Sequence, residues 1–542
     1  MNVEIRKSDI EEAGRGLFSV KNFKPGDVVH TIARPAVAEL DEARLQDSCA
    51  WCFHKGSSEF EREQAARLGL PEVHVDTKAC TGCRKVRYCS KTCQSKAWKR
   101  EHKHECKIIS VPGRPDLPHG VRAAIKLLGR LKADPEGKDE ALLDILQFKP
   151  AVDSKALEWI QLHQEKKWED FNMLAFGAWK YCGEPDLGKI DSQSVTKAFF
   201  FNIICNTIAL TSALDDISLG IGFDNIVCSA NHSCDPNLIV FFNQPQLLLR
   251  ALKPIKKGDE LFIKYVDTSN PFSVRQAELN DQYLFSCRCP KCRKGATHAE
   301  DKLLKPADQL KPEFITLADN LVKRHEKQLH KFFVPATPAE AQRRVSAIQA
   351  EAFAVSGTTF DYQKGNDAAS EDEIKDALKL CLNSGMWSYT RQPVPHLLRQ
   401  LLVRYLSAGE VYRAWRIGAK KHFECSPALF PQPFYSDRVI DCWMMANVTK
   451  ALCGNPSTRE IYEETRKGGL DLQIVFLGFM LELHDNIDKS YGWESPFGKV
   501  VAEAYQQVMA SVPMPVEKIR EAVAETWPKL EAVAKNVDVL ML

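Results

Sequence analysis

A block of cysteines near the N-terminus is the feature that most constrains how this chain of 542 residues can fold. Seven of its eighteen cysteines lie within residues 49–106. With one histidine they form four pairs of short spacing: Cys49-x2-Cys52, Cys80-x2-Cys83, Cys89-x3-Cys93 and His102-x3-Cys106. Each spacing lets two side chains turn toward one ion, so the eight ligands suffice for two tetrahedral zinc sites. Because so small a block cannot fold on burial alone, we expect zinc binding to supply most of its folding energy.

A second cysteine cluster lies in the sequence CRCPKC at 287–292. It supplies Cys287, Cys289 and Cys292, which is one ligand short of a closed tetrahedral site. We predict that Cys234 is the fourth ligand. It belongs to the polar stretch NHSCDPN at 231–237, which interrupts an apolar region and is costly to bury unless each side chain finds a partner. An exposed reactive cluster is the weaker alternative, because closely spaced cysteines in a reducing compartment favour metal.

Charge and hydropathy exclude several classes of protein. The chain has 73 basic and 71 acidic residues, so its net charge is too small to favour binding to nucleic acid or to a membrane. The N-terminal sequence MNVEIRKSDIEEAG lacks the apolar stretch of a secretory signal. The longest apolar run, IVFLGFML, is far shorter than the roughly 20 residues that span a bilayer. We therefore expect a soluble intracellular protein with no membrane partner.

The periodicity of apolar residues changes along the chain. Strand-like runs such as GDVVHTIARPAVAEL and QLLLRALK occur before residue 48 and between 196 and 266. Residues 119–180 and almost everything after 310 have helical periodicity. The polar, proline-containing stretch KGATHAEDKLLKPADQLKPE between them is interpreted as a linker. We predict an α+β fold with an inserted metal module, followed by an all-α C-terminal half.

Specific motifs carry a resemblance to a known family. RYCS before Cys93 and the closing AWKREHKHEC resemble a MYND zinc finger. AGRGLFSV, NHSCDPNL, GDELFIKYVD and the CxCxxC of 287–292 resemble the SET domain and its post-SET cysteines. The chain to about residue 295 thus resembles the SMYD family of SET-and-MYND lysine methyltransferases. This implies a SET-type β-rich catalytic domain with an inserted MYND finger and a helical insert, then a TPR-like helical domain.

The resemblance also implies domain boundaries and zinc ligation. We expect the N-terminal SET segment over 1–48, the MYND finger over 49–106, a helical SET insert over 107–195, the SET core over 196–270, a post-SET zinc segment over 271–295, a linker over 296–310 and a helical TPR-like domain over 311–542. In the interleaved MYND pattern one ion lies on Cys49, Cys52, Cys89 and Cys93, and the other on Cys80, Cys83, His102 and Cys106. The 27 residues between Cys52 and Cys80 exceed the usual MYND spacing and suggest an inserted loop.

The implied activity is S-adenosylmethionine-dependent transfer of a methyl group to a histone or non-histone lysine. The implied cofactors are S-adenosylmethionine and three zinc ions. A free lysine has a pKa of about 10.4, so about one molecule in a thousand is neutral at pH 7. An apolar tunnel and a neighbouring cation both lower that pKa and favour the reactive amine.

Site roles follow from the resemblance, residue by residue. Cofactor contacts are implied for Gly14, Arg15, Gly16, Asn231, His232, Tyr265 and Phe285. Tyr265 matches the active-site tyrosine, and its alternative is an ordinary core tyrosine at a strand end. Tyr283 is implied to line the lysine channel and Asn206 to lie at its entrance. The alternative for Asn206 is a local turn or cap, and for Phe285 it is packing beside zinc.

Two departures from the family pattern bear on activity. Phe262 and Lys264 stand where the family favours smaller polar residues, which would alter the channel wall. Residues 110–180 contain no tyrosine where relatives place a cofactor-contacting one, and Phe148 would replace it without a hydroxyl.

Other functions compete with catalysis. A catalytically weak or inactive zinc scaffold would bind protein partners, such as proline-rich peptides, through the MYND finger. The basic run RKVRYCSKTCQSKAWKREHKHECK could hold phosphates, although a solvated face explains it equally well, and we expect at most weak binding of nucleic acid. We expect a monomer in nucleus and cytoplasm whose protein substrate presents a lysine, with the helical half gating the cleft.

Overall fold

The chain folds into two compact units. The first contains the described residues up to Asn231 together with Asn237–Ile263, and the second contains His232–Pro236 and Lys264–Leu542. The computed structural model describes residues 2–11, 13–56, 76–134, 161, 165–186, 191–211, 218–357, 369–454 and 459–542. The predicted helical stretch ALLDILQF, which includes Phe148, lies outside these residues, as does most of the predicted loop after Cys52.

Short antiparallel strands form the body of the first unit. They are β1 (Val3–Lys7), β2 (Arg15–Ser19), β3 (Val28–Ile32), β4 (Val37–Leu40), β5 (Lys78–Ala79), β6 (Arg87–Tyr88), β7 (Ile208–Thr211), β8 (Ser218–Phe223), β9 (Asn231–His232), β10 (Leu238–Asn243), β11 (Gln246–Ala251) and β12 (Glu260–Ile263). The sheets have the orders β1-β2-β12-β9, β10-β11-β3 and β4-β8-β7, and β5 pairs with β6. The central strand β11 is buried along almost its whole length, which explains its continuous apolar sequence.

Helices of the first unit lie between these strands in the sequence. They are α1 (Lys91–Ala97), α2 (Lys103–Ile109), α3 (His119–Ala133), α4 (Glu165–Tyr181), α5 (Ser192–Asn206) and α6 (Asn225–Cys228). The wide π-helical turn Trp98–His102 joins α1 to α2. Helix α3 packs against α4, α5 and β4, so most of the described residues of the predicted helical insert are helical and α3 packs on one of the sheets.

The cysteine-rich block interrupts the sheets in sequence but not in space. Strand β4 pairs with β8, bringing Val37 opposite Phe223, and β2 pairs with β12, bringing Phe18 opposite Glu260. Gly220 in β8 has a φ of +151°, and a Cβ there would lie 1.9 Å from the carbonyl oxygen of Glu39 in β4. Only glycine fits this close backbone approach. Residues on both sides of the block therefore belong to one sheet structure, as an inserted module requires.

The second unit is almost entirely helical. Its helices are α7 (Phe272–Tyr283), α8 (Ile315–His325), α9 (Ala339–Ser356), α10 (Glu371–Asn383), α11 (Val394–Ser407), α12 (Val411–Lys420), α13 (Ser426–Leu429), α14 (Ser436–Gly454), α15 (Arg459–Lys467), α16 (Leu472–Ser490), α17 (Pro496–Ser511) and α18 (Val516–Lys535). From α8 to α12 each helix packs against the next in sequence. Leu397, Leu401 and Trp415 are fully buried between them. The predicted α+β organisation with a helical C-terminal half is confirmed.

Two details of the second unit depart from the sequence pattern. The periodic stretch from 394 to 423 is divided at Gly409, whose φ of +79° ends α11 and lets α12 begin. The segment 296–310, predicted as a linker, packs into the unit: Arg275 pairs with Glu300 at 3.1 Å, and Ala307 and Leu310 are buried in the helical core. Across the described ranges, we find no helix that combines the length and apolar character needed to cross a membrane.

Candidate active site

The cysteine-rich block forms two tetrads of ligand atoms. The first consists of Cys49, Cys52, Cys89 and Cys93, and the second of Cys80, Cys83, His102 and Cys106. Within each tetrad the ligand atoms lie within 4.8 Å of one another. His102 Nε2 is 3.4 Å from the Sγ of Cys80 and 3.7 Å from that of Cys83. Tetrahedral sulfur and nitrogen ligands at these separations fit zinc, and the interleaved pairing matches the expectation.

Local backbone structure holds each cysteine pair in place. The N–H of Phe53 donates to the carbonyl of Cys49, and the N–H of Arg84 donates to the carbonyl of Cys80. Phe53 and Arg84 both have positive φ angles, so each Cys-x2-Cys pair ends in a tight turn. Ser90 caps α1 by accepting the N–H of Cys93. These turns and the cap orient pairs of sulfur atoms toward one point.

A buried chain of charges continues from the second tetrad into the first unit. His102 Nδ1 lies 2.8 Å from Glu105, whose carboxylate lies 3.1 Å from the Nζ of Lys126 in α3. The same Nζ is 2.7 Å from Glu39 in β4, which Arg122 also contacts at 3.4 Å. All these side chains are less than a tenth exposed. A carboxylate on the outer nitrogen of a ligating histidine fixes its tautomer and orientation.

The third tetrad lies in the second unit. It joins Cys234 to Cys287, Cys289 and Cys292, again with ligand atoms within 4.8 Å of one another. The Sγ of Cys234 is 3.4 Å from that of Cys292 and 4.0 Å from that of Cys287. Backbone N–H groups of Cys289 and Cys292 point at the sulfurs of the preceding ligands. The fourth ligand predicted from the sequence therefore joins the other three, and the tetrad fits a zinc ion.

Asn231 is held by two acceptors in the first unit. Its Nδ2 donates to the carbonyl of Arg15 at 2.9 Å and to Oε1 of Glu260 at 2.8 Å. The same carboxylate oxygen accepts from Ser8 Oγ at 2.8 Å, and a Cβ on Gly16 would lie 2.3 Å from it. Gly16 therefore makes room for Glu260. The structure brings Asn231 and the Gly14–Gly16 turn together through Glu260, a residue of the GDELFIKYVD motif to which the sequence analysis had assigned no role.

Both ring nitrogens of His232 have partners in the second unit. Nδ1 accepts the backbone N–H of Tyr265 at 3.0 Å, so the ring proton resides on Nε2, which faces the Sγ of Cys234 at 3.2 Å. Burial lowers the pKa of His232 to about 4, which keeps the ring neutral. One imidazole thus connects a zinc ligand to the backbone of Tyr265. The predicted cofactor contact of His232 stays a prediction.

Aromatic rings surround Tyr265. Its ring centroid lies 4.8 Å from that of Tyr283 and 5.3 Å from that of His232. Phe285 meets it edge to face at 6.4 Å. The Tyr283 hydroxyl donates to the Tyr265 carbonyl at 3.4 Å, and all three aromatic residues pack against the third cysteine tetrad. Such faces suit an alkyl stem ending in a cation. The predicted catalytic, channel and cofactor aromatics therefore form one cluster.

The remaining predicted residues have other contacts. Asn206 is the last residue of α5, and its carbonyl accepts a hydrogen bond from Cys228 Sγ. Phe262 lies on β12, where its N–H donates to Asn237. The Nζ of Lys264 lies 5.4 Å from the ring centroid of Tyr435. The channel roles of these residues stay predictions.

A further group of metal-type side chains was not anticipated from the sequence. Asp41, Glu42 and His119 lie close enough to share an ion, and each is partly exposed. His119 Nδ1 lies 3.0 Å from Asp41, and this ion pair accounts for the proximity. Three exposed ligands without a fourth do not form a closed site.

Comparison with known proteins shows which family this region resembles. A family model described as "SET domain" matches residues 14–266, the range that contains the Gly14–Gly16 turn, Asn231, His232 and Tyr265. This region of the chain is similar to SET domains. The resemblance carried by the sequence motifs is thereby confirmed, and the two finger tetrads match the MYND component of the SMYD pattern.

Three curated relatives illustrate the SMYD similarity. "SET domain and MYND-type zinc finger protein 6" of Schizosaccharomyces pombe is 29% identical over 54% of this chain and 52% of its own length. "Histone-lysine N-methyltransferase SMYD3" of Homo sapiens is 28% identical over 54% of this chain and 62% of its own length. "N-lysine methyltransferase SMYD2" of Homo sapiens is 28% identical over 58% and 68%, respectively. The chain thus spans about half to two thirds of the length of these relatives.

Proposed function

We propose that this protein is an S-adenosylmethionine-dependent protein-lysine N-methyltransferase. The observation that carries the proposal is the aromatic cluster of Tyr265, Tyr283 and Phe285 within a SET-type chain. Relatives with the same SET and MYND motifs are named histone-lysine or N-lysine methyltransferases. By analogy, the substrate of this chain is a protein that presents a histone or non-histone lysine.

The residues present fit the cofactor. In the first unit, Gly14, Arg15, Gly16 and Asn231 are the proposed contacts of S-adenosylmethionine. In the second unit, His232 and Phe285 are proposed contacts by the same family resemblance. Asn231 Nδ2 is directed at the Arg15 carbonyl and Glu260, which fixes the amide beside the glycine turn. When bound, the cofactor supplies an electrophilic methyl group on a cationic sulfur. An aromatic edge such as that of Phe285 suits such a cation.

The protein's own task is to position a neutral lysine. Tyr265 and Tyr283 pack against each other with ring centroids 4.8 Å apart, and together they would form one wall of a channel that keeps water from the amine. Removing solvent lowers the pKa of a lysine and raises its neutral fraction. The Tyr265 hydroxyl would orient the amine, so the rate depends chiefly on alignment. The three zinc ions would be structural, because each tetrad supplies four protein ligands.

The runner-up is a catalytically weak or inactive zinc scaffold that binds proline-rich peptides through its finger. Against it stands the joint presence of Asn231, His232 and Tyr265, because a scaffold needs none of them. Glu260 adds to this, since its carboxylate is committed to holding Asn231. The finer assignments stay within the proposal: a monomer in nucleus and cytoplasm, at most weak nucleic-acid binding, and the domain boundaries given above.

The proposal is tested first by cofactor binding. Calorimetry on zinc-loaded protein should detect S-adenosylmethionine binding, and Asn231→Ala should weaken it about 5- to 100-fold because a hydrogen-bonding group is lost. Asn243→Ala, at the end of β10, is the matched control and should leave binding unchanged. Absence of binding by the intact protein would favour the scaffold.

The rate of methyl transfer provides a second test of the proposal. With labelled S-adenosylmethionine and a mixture of histone and non-histone proteins, Tyr265→Phe should slow methyl transfer on the order of 100-fold, because one positioned hydroxyl is removed. Cofactor binding should change little. Tyr389→Phe, a half-buried tyrosine elsewhere in the second unit, serves as the control. Equal turnover by the Tyr265→Phe and control variants would contradict the role of Tyr265.

A further inference from the structure

The segment Lys264–Asn270 follows β12 and carries Tyr265, yet it has no regular secondary structure of its own. Within the second unit, the helical region holds this segment by side chains. His396 Nε2, in the first turn of α11, lies 3.0 Å from Asp267 Oδ2. Gln392 Nε2 donates to Ser269 Oγ at 2.9 Å. Two residues just before and at the start of α11 thus reach the chain within four residues of Tyr265.

Asp267 connects this contact to the segment's own backbone. Its Oδ1 accepts the N–H of Ser269 at 2.9 Å and the Ser269 hydroxyl at 2.7 Å, while Oδ2 faces His396. The two carboxylate oxygens therefore close a turn on one side and bind the helix on the other. Burial alone would raise the pKa of Asp267, but His396 and Lys264 hold it below its ordinary value. The carboxylate is charged at neutral pH and keeps both sets of bonds.

Tyr265 and the residue before it have contacts of their own, in addition to those of Asp267. The Tyr265 N–H donates to His232, and its carbonyl accepts from the Tyr283 hydroxyl. Lys264, the preceding residue, lies over the ring of Tyr435 in the helical region. Tyr265 is thus held by contacts to His232 and Tyr283, and its neighbours in the chain are held by α11 and Tyr435. Fixing a short irregular segment from both sides restricts the aromatic ring that it carries.

We infer that His396, acting through Asp267, is a positioning residue that holds Tyr265 in place from the helical region of the chain. This inference rests on the proposed methyl transfer for its kinetic consequence, but not for the contact itself. It identifies how the helical region supports catalysis: by a histidine–carboxylate pair that touches neither cofactor nor lysine. The sequence separation of 129 residues hides this pair from any local motif.

The experiment compares His396→Ala with a matched control of the same chemistry. His325 forms a second histidine–carboxylate pair in the helical region, with Glu351 at 2.5 Å, and belongs to another region of the core. Steady-state kinetics and S-adenosylmethionine calorimetry are measured on full-length, zinc-loaded wild type, His396→Ala, Asp267→Asn and His325→Ala. We expect kcat to fall about tenfold in the first two variants, with cofactor affinity within twofold of wild type, and no change in His325→Ala.

Rescue separates positioning from mere stability. In His396→Gln, the side-chain amide can place a donor near Asp267, so kcat should return to within about threefold of wild type. A variant lacking both partners should be no slower than either single variant, because the two act as one pair. Full additivity of the two losses, or no recovery in His396→Gln, would overturn the inference.

A readout without turnover keeps the two proposals apart. Hydrogen–deuterium exchange of the peptide covering 264–270 should rise in His396→Ala and stay unchanged in His325→Ala, because only the first removes an anchor of this segment. Unchanged exchange in His396→Ala overturns the inference whatever the activity. If exchange rises in His396→Ala but the wild-type protein has no methyltransferase activity, the anchoring is supported and only the proposed function is contradicted.

Discussion

At the scale of single residues, Glu278 shows how burial near Tyr265's segment affects stability. This carboxyl lies in α7 and is almost fully buried. Burial is the main cause that raises its pKa to about 8, and the charge of Asp267 adds to it. Asn270 and Arg275 oppose the rise without cancelling it. Glu278 is therefore neutral at pH 7, which is unusual for a glutamate and has a measurable consequence.

Glu278→Gln should stabilise the protein increasingly as pH rises. Below the ordinary pKa of 4.5 the carboxyl is neutral in both states and imposes no penalty. Between about 4.5 and 8 the folded chain keeps a proton that the unfolded chain releases, so the wild-type free energy of unfolding falls with pH. At pH 7 the variant should gain on the order of 3 kcal/mol. Urea unfolding of both proteins at each pH measures the difference, and a gain independent of pH would contradict it.

Residue motifs predicted the site only where the chemistry is local. Short recognisable motifs contain the paired metal ligands, Asn231, His232 and Tyr265. The structure groups the cysteines as expected. Glu260 was missed because its importance comes from Ser8 and Gly16, more than 240 residues earlier. The contact between Asp267 and His396 was missed for the same reason. Side chains that act on one another across the fold leave no spacing in the sequence.

At the scale of elements, α3 joins the finger to the sheets. Lys126 of α3 lies between Glu105, beside the zinc ligand His102, and Glu39 in β4. Each carboxylate is buried and depends on this one ammonium for some of its compensation. Breaking a buried ion pair by removing one partner leaves an unpaired charge and is strongly destabilising. Lys126 thus joins the finger to β4, and Arg122 of the same helix adds a second contact to Glu39.

Lys126→Met should destabilise the first unit by about 3–5 kcal/mol, because two buried carboxylates lose their shared cation. Lys132→Met changes an exposed lysine of the same helix and should have little effect. Chemical denaturation gives the stability, and a colorimetric chelator reports zinc release. We expect zinc to leave the Lys126→Met finger faster than that of the control. Equal release rates in the two variants would show that Glu105 does not depend on Lys126.

Element boundaries were predicted less well than element types. The strand-like sequence DELFIKYV forms a strand only over Glu260–Ile263. The Asn237 side chain binds the backbone of Glu260 and of Phe262 there, and the chain leaves the strand after Ile263. The polar segment 296–310 looked like a linker by composition. Arg275 and Arg391 bind Glu300, which draws it into the helical unit. Composition does not indicate such tertiary partners.

At the scale of the whole molecule, zinc content distinguishes the predicted organisation from simpler ones. Three tetrads are present among the described residues, two in the first unit and one in the second. The third is the one that contacts His232 and packs against Tyr265. Losing its metal should therefore affect the candidate site, whereas the finger ions should matter mainly for the fold.

We expect three zinc ions per chain by elemental analysis, and two in Cys234→Ser. The variant should also bind S-adenosylmethionine more weakly, because His232 loses the sulfur partner that orients its ring. Cys453→Ser, a half-buried cysteine outside the tetrads, should retain all three ions and full binding. Two ions in the wild-type protein would reject the third site.

The pairing of β2 with β12 has a consequence for how the protein is made. These partners are separated by some 240 residues, which a ribosome adding roughly 5–20 residues per second takes about 10 to 50 seconds to supply. The last finger ligand, Cys106, emerges well before β12. The finger can therefore capture its metal while its neighbouring strands still wait for their partners. In a cell short of zinc during those seconds, the ribosome would release a chain whose finger, the part able to fold first, is not folded.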